Sequence, residues 1–576
     1  MKGTKTDFSV DSPTFTYFYV AILFAFCFLV GRIGRWQELV KFETPQMITL
    51  TVLFSIPAAC FLWCFVSGRN WKKLIPGLQF SMLAVPTLYL IHHICEMRVA
   101  YLLPGPANES VFFWGILILF LAVSLLPLLL FKEGFHADGQ VIYSLGCALL
   151  VRFTYITLMQ GHIFENDMGT FEEGSYGHIG YAYHLYAGDP VLSFSPIGYD
   201  QLYHPPLYHF LLAKYLKLQE LTGAMLGEQA DEIAQTFDFF LAGVLLLFLV
   251  KICVKLGVDA AGTSLVLACM TVIPYMIMNS GATNNDPLAC TLGVIAIYFG
   301  LCWRETHRLR DICLMGLGIG CSMMAKMSGA VLAFSMAVFM LLVVWKDRKE
   351  WKKYIGQFAC FGLISGVCGL WHSIYNLVRF GVPLDYFPRV NETYDMFLPD
   401  FSNQQLLFDF KDGLMYLTPS YQRSDGYIEH NILLSVLKHA TFNEGYNYKY
   451  TPYSNFLGVT CFTVVCILCA AFVICSAVVA FKKWPDWESK ILIIGTTVAN
   501  YLCLIKVVFA QPFVCTMNVR YLLLAICTGS ITVGMALSGK PQESPRRGHI
   551  VVSMLALLLF LIGAEWTVNL LLLFEF

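Results

Sequence analysis

The chain has 576 residues, of which 57% are apolar and 13% are charged, and its mean hydropathy is +0.63. A water-soluble domain usually carries about a quarter charged residues, so this composition excludes a soluble globular protein. The net charge of −1 argues against a nucleic-acid-binding protein, which needs a concentrated basic face.

Long apolar runs predict an all-α polytopic membrane protein, because a bilayer core needs about 20 mostly apolar residues per helix. The runs begin, in chain order, near Thr14, Gln46, Leu74, Phe112, Val141, Thr236, Ala260, Asp286, Asp311, Ala330, Tyr354, Phe456, Ile491, Val519 and Ile550. We therefore expect about fifteen transmembrane helices. They divide into a four-helix N-terminal extension (1–135), a core (136–540) and a C-terminal helix (541–576).

Lysine and arginine in short loops predict the orientation of these helices. With the N-terminus in the cytoplasm, five basic loops face the cytoplasm: 68–73, 303–311, 345–353, 481–490 and 538–549. One loop disagrees, because 31–41 would then carry three basic residues on the outer side. Two long stretches, 161–233 and 379–455, form outer loops. The glycosylation sequons at Asn108 and Asn391 fall on the same side.

The twenty cysteines predict no metal site or disulfide framework. Nearly all of them lie inside apolar runs, where a thiol behaves as a small buried hydrophobe. Acidic residues, histidines and tyrosines are concentrated instead in 161–209, directly after a membrane helix. A carboxylate at a membrane surface can accept a proton from an incoming nucleophile, so this loop is the expected place for chemistry.

Several motifs then follow in a recognisable order. They read NDMGTF, GHIGY, YHPPLYH, TNNDPLA, AKMSGA, YNLVRFGVPLDYFPRV and TMNVRYLLLA, and they cover roughly 141–530. This order resembles the bacterial glycosyltransferases related to protein O-mannosyltransferases and to the lipid A aminoarabinose transferase, which share the GT-C superfold. The resemblance implies a GT-C-type helical bundle with two large outer loops. It also implies an inverting hexosyltransferase, with mannose as the candidate sugar and a polyprenyl phosphate as the sugar carrier.

The resemblance places the catalytic acid of the family at Asp167, in NDMG. Its implied role is that of general base, which deprotonates the acceptor as the acceptor attacks the anomeric carbon. Some relatives carry two adjacent acids here, whereas Asn166 precedes Asp167 and Glu165 lies one position further back. Glu172 and Glu173 are the alternatives if the register differs. An isolated loop aspartate is also commonly a helix cap.

The resemblance also implies residues that bind the phosphate of the donor. His204 stands where the aminoarabinose transferase has a basic residue before a Pro-Pro pair, although a structural histidine would fit equally well. Lys326 and Arg520 lie in family-like motifs near the membrane surface, where ionisable residues are costly and mark function. Snorkelling of both side chains toward lipid headgroups is the alternative. Arg152, inside a predicted helix, is expected to pair within the bundle.

Four further residues are candidates for contacts with the sugar or the acceptor. His178 lies in GHIGY, and Tyr203 belongs to a run of aromatic residues that suits sugar stacking or a loop lying on headgroups. Asn285 and Asp286 precede a helix, and helix capping followed by Pro287 would alone explain them.

The expected partners are a polyprenyl-phosphate sugar, membrane lipids and an acceptor that is a protein, a glycolipid or a cell-wall polymer. No metal or other cofactor is expected, and the resemblance favours a bacterial plasma membrane. The alternative class is a transporter, flippase or polymerase of lipid-linked glycans. A transporter usually has inverted repeats and ionisable groups at the middle of the membrane. This chain shows neither pattern in its sequence, so we favour the enzyme.

Overall fold

The structure is a computed structural model that describes part of the chain. The described residues are 10, 12–33, 137–158, 167–188, 194–199, 201–224, 226–384, 386, 388, 396–398, 400–411, 413–416, 418, 426–443, 452–538, 551–556, 558–560, 562–563 and 566. The four-helix N-terminal extension and the C-terminal helix therefore fall largely outside them, and the predicted division of the chain into three parts stays a prediction.

The described residues form an all-α membrane protein, which confirms the predicted fold class. The first eight helices are α1 (Pro13–Ile33), α2 (Ala137–Leu158), α3 (Gly177–Ala187), α4 (Leu207–Leu221), α5 (Leu226–Lys255), α6 (Ala260–Val272), α7 (Pro274–Met278) and α8 (Asp286–Thr306). The next eight are α9 (Leu309–Ala325), α10 (Val331–Lys346), α11 (Lys352–Phe380), α12 (Asn403–Phe408), α13 (Ile432–Phe442), α14 (Pro452–Phe481), α15 (Trp487–Ala510) and α16 (Leu523–Leu537).

Seven helical segments within the described ranges are long and apolar enough to cross a membrane. They are Gln229–Lys255, Asp286–Thr306, Met327–Lys346, Lys352–Phe380, Gly458–Phe481, Trp487–Ala510 and Val514–Leu537. Each of them coincides with a predicted span. The predicted total of about fifteen stays a prediction, because the spans expected near Gln46, Leu74 and Phe112 lie outside the described residues.

Two helix boundaries differ from the predicted ones. Helix α5 begins at Leu226, before the predicted start at Thr236, so the first long stretch is shorter than expected. The span predicted from Ala260 is interrupted after Val272, where Pro274 begins the short helix α7. Proline has no backbone N–H and clashes with the preceding turn, so the α6 helix cannot continue through it.

Helix α9 packs closely against α8 and against α11. Small residues on α9 allow this approach, as they do at many membrane helix interfaces. A Cβ atom on Gly320 would lie 2.7 Å from the Cβ of Cys368 and 3.0 Å from the carbonyl oxygen of Ser365, both on α11. Only glycine fits at that contact.

One end of the bundle, called the basic end, carries Lys255, Arg304, Lys346 and Lys353. Their ion-pair partners are Glu305, Asp486, Glu488 and Asp347. Exposed tryptophans lie at the same end, at Trp345, Trp351 and Trp487. Tryptophan is enriched where a membrane meets water, so these side chains mark one membrane boundary.

The opposite end, called the site end, carries Asp286, Lys326 and Arg520. Helices α8 and α9 run between the two ends in opposite directions, so Asp286 begins α8 and Lys326 follows α9 at the same end. Arg152 on α2 lies inside the bundle. It donates hydrogen bonds to the carbonyls of Ala148 and Met270, at 3.0 and 2.7 Å, and so pairs within the bundle as expected.

Candidate active site

The NDMG loop is folded onto the beginning of helix α3. The carbonyl oxygens of Asp167 and Met168 accept hydrogen bonds from the N–H groups of His178 and Ile179, at 2.9 and 2.8 Å. N–H groups in the first turn of a helix have no partner within the helix. The loop therefore caps the GHIGY helix, and this capping fixes the position of Asp167.

Gly177 is required for this arrangement. Its φ is +88°, a left-handed conformation that other residues rarely adopt. A Cβ atom at Gly177 would also lie 2.6 Å from the carbonyl oxygen of Asp167 and 2.5 Å from the carbonyl carbon of Met168. Both the backbone conformation and the available space therefore demand glycine where α3 meets the loop.

Asp167 is paired with Arg520, which lies 353 residues further along the chain. The Arg520 guanidinium donates to Asp167 Oδ2 at 3.3 Å. The Asp167 side chain keeps 39% of its surface exposed and the Arg520 side chain keeps 24%, so a ligand can reach either group. The structure thus brings the predicted base and one predicted phosphate-binding cation into direct contact.

Lys326 and Asp286 form a second and more buried ion pair. The Lys326 ammonium donates to both carboxylate oxygens of Asp286, at 2.7 and 2.9 Å. Asn284 Oδ1 accepts from the backbone N–H of Asp286, and Asn285 donates to the carbonyl of Ala325 at 2.9 Å. Asn285 precedes α8 without making a side-chain capping bond. The TNND segment therefore orders Lys326 in addition to starting a helix.

One aromatic ring links the two ion pairs. The ring of Tyr521 lies 5.0 Å from the Lys326 ammonium and 5.4 Å from the Arg520 guanidinium carbon. Tyr203 is close by, and burial raises the pKa of its phenol well above the usual range. The negative charge of Asp167 adds to this rise, and the positive charge of Arg520 partly opposes it. Tyr203 therefore stays protonated and can donate a hydrogen bond.

Three histidines stack behind these charges. The ring of His178 lies nearly parallel to those of His204 and His209, with centroids 5.8 and 5.2 Å away. His178 Nδ1 and His209 Nε2 share a hydrogen bond of 2.9 Å. The ring of Tyr181 packs on His209 at 4.1 Å and closes the stack. All three histidines are buried.

Burial and neighbouring cations keep the three imidazoles neutral. Burial, followed by the positive charges of Lys326 and Arg520, lowers the pKa of His178 well below its usual range. Burial and Lys326 are also the main causes that lower the pKa of His204, and burial lowers the pKa of His209. A neutral imidazole has a single N–H donor, so His204 supplies no positive charge for a phosphate.

A buried carboxylate on α5 connects the helix after YHPP to the TNND segment. Tyr208, in the first turn of α4, donates to Asp238 Oδ2 at 2.9 Å. Asp238 also accepts a hydrogen bond from the backbone of Thr283, whose φ of +42° is unusual for a β-branched residue. Asp238 therefore holds two site segments together, although its own side chain is fully buried.

The second long stretch packs against the segment that carries Arg520. Its residue Leu398 donates a backbone hydrogen bond to Pro512, and Val514 donates one to Met396, both at 2.9 Å. Helix α13 packs on the turns around Met517 and Arg520. Burial, with Arg520 and Lys438 adding to it, lowers the pKa of His439 on α13 to about 4. This stretch therefore backs the candidate site.

The other predicted acids lie away from this cluster or outside the described residues. Glu172 is exposed, and it accepts a hydrogen bond from Thr170 within its own loop at 2.7 Å. Glu173 is exposed as well. Glu165 lies outside the described residues. Of the predicted catalytic acids within the described residues, Asp167 is the one that contacts a predicted cation.

Sequence reasoning missed His209, Asp238 and Tyr521. Asp238 gave a signal, because a carboxylate inside an apolar helix usually marks function or a buried network. His209 closes the YHPPLYH motif but stands at a helical position, where a histidine commonly belongs to a core. Tyr521 directly follows Arg520, and no spacing rule distinguishes it from a membrane-interface tyrosine.

Comparison with known families adds one finding. Residues 203–370 match the family model of the dolichyl-phosphate-mannose-protein mannosyltransferases. This match confirms the resemblance to GT-C-like mannosyltransferases and indicates a glycosyltransferase. The matched region is well under half of the chain, and it contains Tyr203, His204, Asn285, Asp286 and Lys326. No curated protein matches the chain.

Within the described ranges, no group of three or more His, Cys, Asp or Glu side chains is arranged to hold a metal ion. The prediction that the protein works without a metal or other cofactor stays a prediction.

Proposed function

We propose that this protein is an inverting glycosyltransferase that moves a hexose, with mannose as the first candidate, from a polyprenyl phosphate to an acceptor. The acceptor is a protein, a glycolipid or a cell-wall polymer. The reaction takes place at the site end of the bundle, which faces the outer side of a bacterial plasma membrane in this proposal.

The observation that carries the proposal is the contact between Asp167 and Arg520, beside Lys326. These three residues come from motifs far apart in the sequence. At one end of the membrane bundle, Asp167 contacts Arg520, and the ring of Tyr521 lies against both Arg520 and Lys326. A transferase that uses a lipid phosphate donor needs a carboxylate base within reach of cations that hold a phosphate. The family match supports the same chemistry.

In the proposed reaction, a hydroxyl or amide group of the acceptor attacks the anomeric carbon of the sugar. Asp167 accepts the proton of this nucleophile as the new glycosidic bond forms. The bond between the anomeric carbon and the phosphate oxygen breaks, and the polyprenyl phosphate leaves with the electron pair. Attack from the side opposite the phosphate inverts the configuration of the sugar.

Lys326 and Arg520 stabilise the leaving phosphate in this proposal. Developing negative charge is best stabilised by fixed cations in a site with little water. The Arg520–Asp167 pair is partly exposed, and such pairs contribute only about 0–1 kcal/mol, so a phosphate can compete for the guanidinium. His178 and His204 position the loops, and Tyr203 faces the sugar.

The test is transfer of radiolabelled hexose from a polyprenyl phosphate by purified wild type and Asp167→Asn, with membrane extract as the acceptor source. Loss of a general base typically lowers the rate by a factor of about 10² to 10⁴. We expect a loss of that size in kcat, with an unchanged unfolding temperature. A chelator should leave the wild-type rate unchanged.

The matched control is Glu172→Gln, which removes an exposed acid in the same loop and should retain wild-type activity. Loss of transfer in Glu172→Gln or Glu165→Gln, with full activity in Asp167→Asn, would assign the base to another acid. Absence of transfer with every polyprenyl-phosphate sugar would overturn the proposed function in favour of a carrier of lipid-linked glycans.

A further inference from the structure

The ring of Tyr521 contacts both proposed phosphate-binding cations. Its ring lies within cation–π distance of the Lys326 ammonium and of the Arg520 guanidinium, at 5.0 and 5.4 Å. Tyr521 is neither a candidate base nor a charged group. Its position between two cations therefore calls for an explanation of its own.

Two like charges that lie close together repel each other unless something holds them in place. Each cation here has a carboxylate partner, Asp286 for Lys326 and Asp167 for Arg520. A phosphate that binds Arg520 must take its guanidinium away from Asp167, and that removes one of the restraints. The contact with the ring of Tyr521 does not depend on Asp167, so it can hold Arg520 during this exchange.

We propose that Tyr521 is a positioning residue whose ring holds Lys326 and Arg520 in place, so that both cations reach the single phosphate of the lipid donor. This inference rests on the proposed function. The ring face supplies the attraction through its quadrupole, and the ring's bulk fixes how far apart the two charges lie. The phenol hydroxyl is not required.

The chain offers a matched control elsewhere in the bundle. The Lys251 ammonium lies 5.4 Å from the ring centroid of Tyr298, in the middle part of α8 and away from the site end. Tyr298→Leu removes a cation–π contact of similar geometry without touching Lys326 or Arg520. If Tyr298→Leu leaves the donor KM unchanged, a rise in Tyr521→Leu comes from the site. An equal rise in both would mean that losing any cation–π contact in the bundle has this effect.

The experiment compares donor KM and kcat for purified wild type, Tyr521→Leu, Tyr521→Phe and Tyr298→Leu. We expect Tyr521→Leu to raise the donor KM about tenfold, the size of the loss of two such contacts, with a smaller change in kcat. The inhibition constant of the sugar-free polyprenyl monophosphate should rise by the same factor. Tyr521→Phe, which keeps the ring, should stay within about twofold of wild type, and Tyr298→Leu should match wild type.

A double-mutant cycle separates positioning from general packing. In a Lys326→Gln background, Tyr521→Leu should raise the donor KM by less than in wild type, because one of the two cations held by the ring is gone. If Tyr521→Leu does not yield folded protein, Tyr521→Met fills the space without an aromatic ring and should show the same rise in KM.

A wild-type donor KM in Tyr521→Leu or Tyr521→Met would overturn the inference. Equal impairment of Tyr521→Phe and Tyr521→Leu would also overturn it, since the hydroxyl would then be responsible. These outcomes differ from a failure of the proposed function. In that case the wild type itself would transfer no hexose from any polyprenyl phosphate, so no donor KM could be measured.

Discussion

The two ends of the bundle both carry ion pairs, but they use them differently. At the basic end, every pair named above leaves at least one partner partly or largely exposed, and the partners tie neighbouring helix ends together. At the site end, Lys326 and Asp286 are both nearly buried, and neutral histidines and a tyrosine ring surround the charges. The site end therefore combines a buried ion pair with a partly exposed one, whereas each pair named at the basic end keeps at least one partner in contact with water.

Under the proposed function, this difference separates charges that tie helices together from charges that bind the donor. An exposed pair costs little to form and contributes little to stability. A buried pair carries a desolvation cost that its mutual attraction barely repays, so it is poor evidence for a role in stability alone. The proposed function accounts for the buried pair beside Asp167 and Arg520 by a donor phosphate that binds there.

The largest effect is expected from breaking the buried pair with Lys326→Met. This change leaves the Asp286 carboxylate buried without its cation, and such losses typically cost about 3–5 kcal/mol of unfolding free energy. Unfolding in detergent, followed by heat or denaturant, measures this loss. Lys255→Met at the basic end is the control and should cost less than about 1 kcal/mol.

The double variant Lys326→Met with Asp286→Leu sharpens this result. It removes both charges, so most of the lost stability should return while donor binding stays absent. If the double variant is as unstable as Lys326→Met, the loss of stability comes from the lost packing of the lysine stem and not from the unpaired carboxylate.

A smaller effect is expected from Gly177→Ala, which adds one methyl group where the NDMG loop meets α3. The left-handed backbone and the close carbonyl of Asp167 leave no room for the methyl group, so the loop must move. Strain of this kind costs about 1–3 kcal/mol, and we expect transfer activity to fall at least about tenfold. Gly362→Ala on α11, where a Cβ atom meets open space, is the control and should keep full activity. Full activity in Gly177→Ala would show that the capped loop does not set the position of Asp167.

The histidine stack predicts a loss of stability in acid. The pKa values of His178, His204 and His209 are lowered in the folded state, so the unfolded chain binds more protons below its own histidine pKa of about 6.5. The stability that depends on neutral imidazoles is fully present above about pH 6.5 and is lost as the pH falls below that value. Below pH 6.5, each buried imidazole should lower the free energy of unfolding by about 1.4 kcal/mol for each unit by which the pH falls.

Unfolding temperatures measured at pH 7.5, 6.5 and 5.5 check this expectation. His209→Phe keeps a ring in the stack but removes one titrating group, and it should flatten the decline below pH 6.5. Gly362→Ala should show the wild-type decline. An unfolding temperature that does not change between pH 7.5 and 5.5 would contradict neutral burial of the stack.

The smallest effect is expected at the basic end. Lys353 pairs with Asp347 while both side chains keep more than a third of their surface exposed. Lys353→Met should change the unfolding free energy by less than about 1 kcal/mol, and 1 M salt should remove the difference because it screens exposed charges. Transfer activity should be unaffected. A clear loss of activity would mean that the two ends are coupled.

Much of the fold could be predicted because each membrane span is a long apolar run that hydropathy alone detects. The break at Pro274 was less visible, since the run from Ala260 continues through it and only the backbone chemistry of proline interrupts the helix. Helix α13 was also missed, because an apolar helix of eleven residues is too short to signal a span.

The candidate site was harder to predict than the fold. The motifs identified Asp167, Lys326 and Arg520 individually, but nothing in their spacing predicts that Arg520 contacts Asp167 or that Lys326 pairs with Asp286. Such contacts depend on the way in which distant helices pack. The phosphate role predicted for His204 stays a prediction, and the burial of its ring among other histidines could not be deduced from the sequence.

The length of the helical segment after Lys326 has a consequence for the donor lipid. Met327–Lys346 spans 20 residues, which is about 30 Å of helix and matches the thickness of a bilayer core. The segment is therefore long enough to place Lys326 at the membrane boundary opposite Trp345, where lipid phosphates lie. In the proposed function, a donor can then meet Lys326 while its isoprenoid tail stays in the bilayer. Withdrawing that tail into water would cost about 0.8 kcal/mol for each methylene group, and a site at this depth avoids the cost.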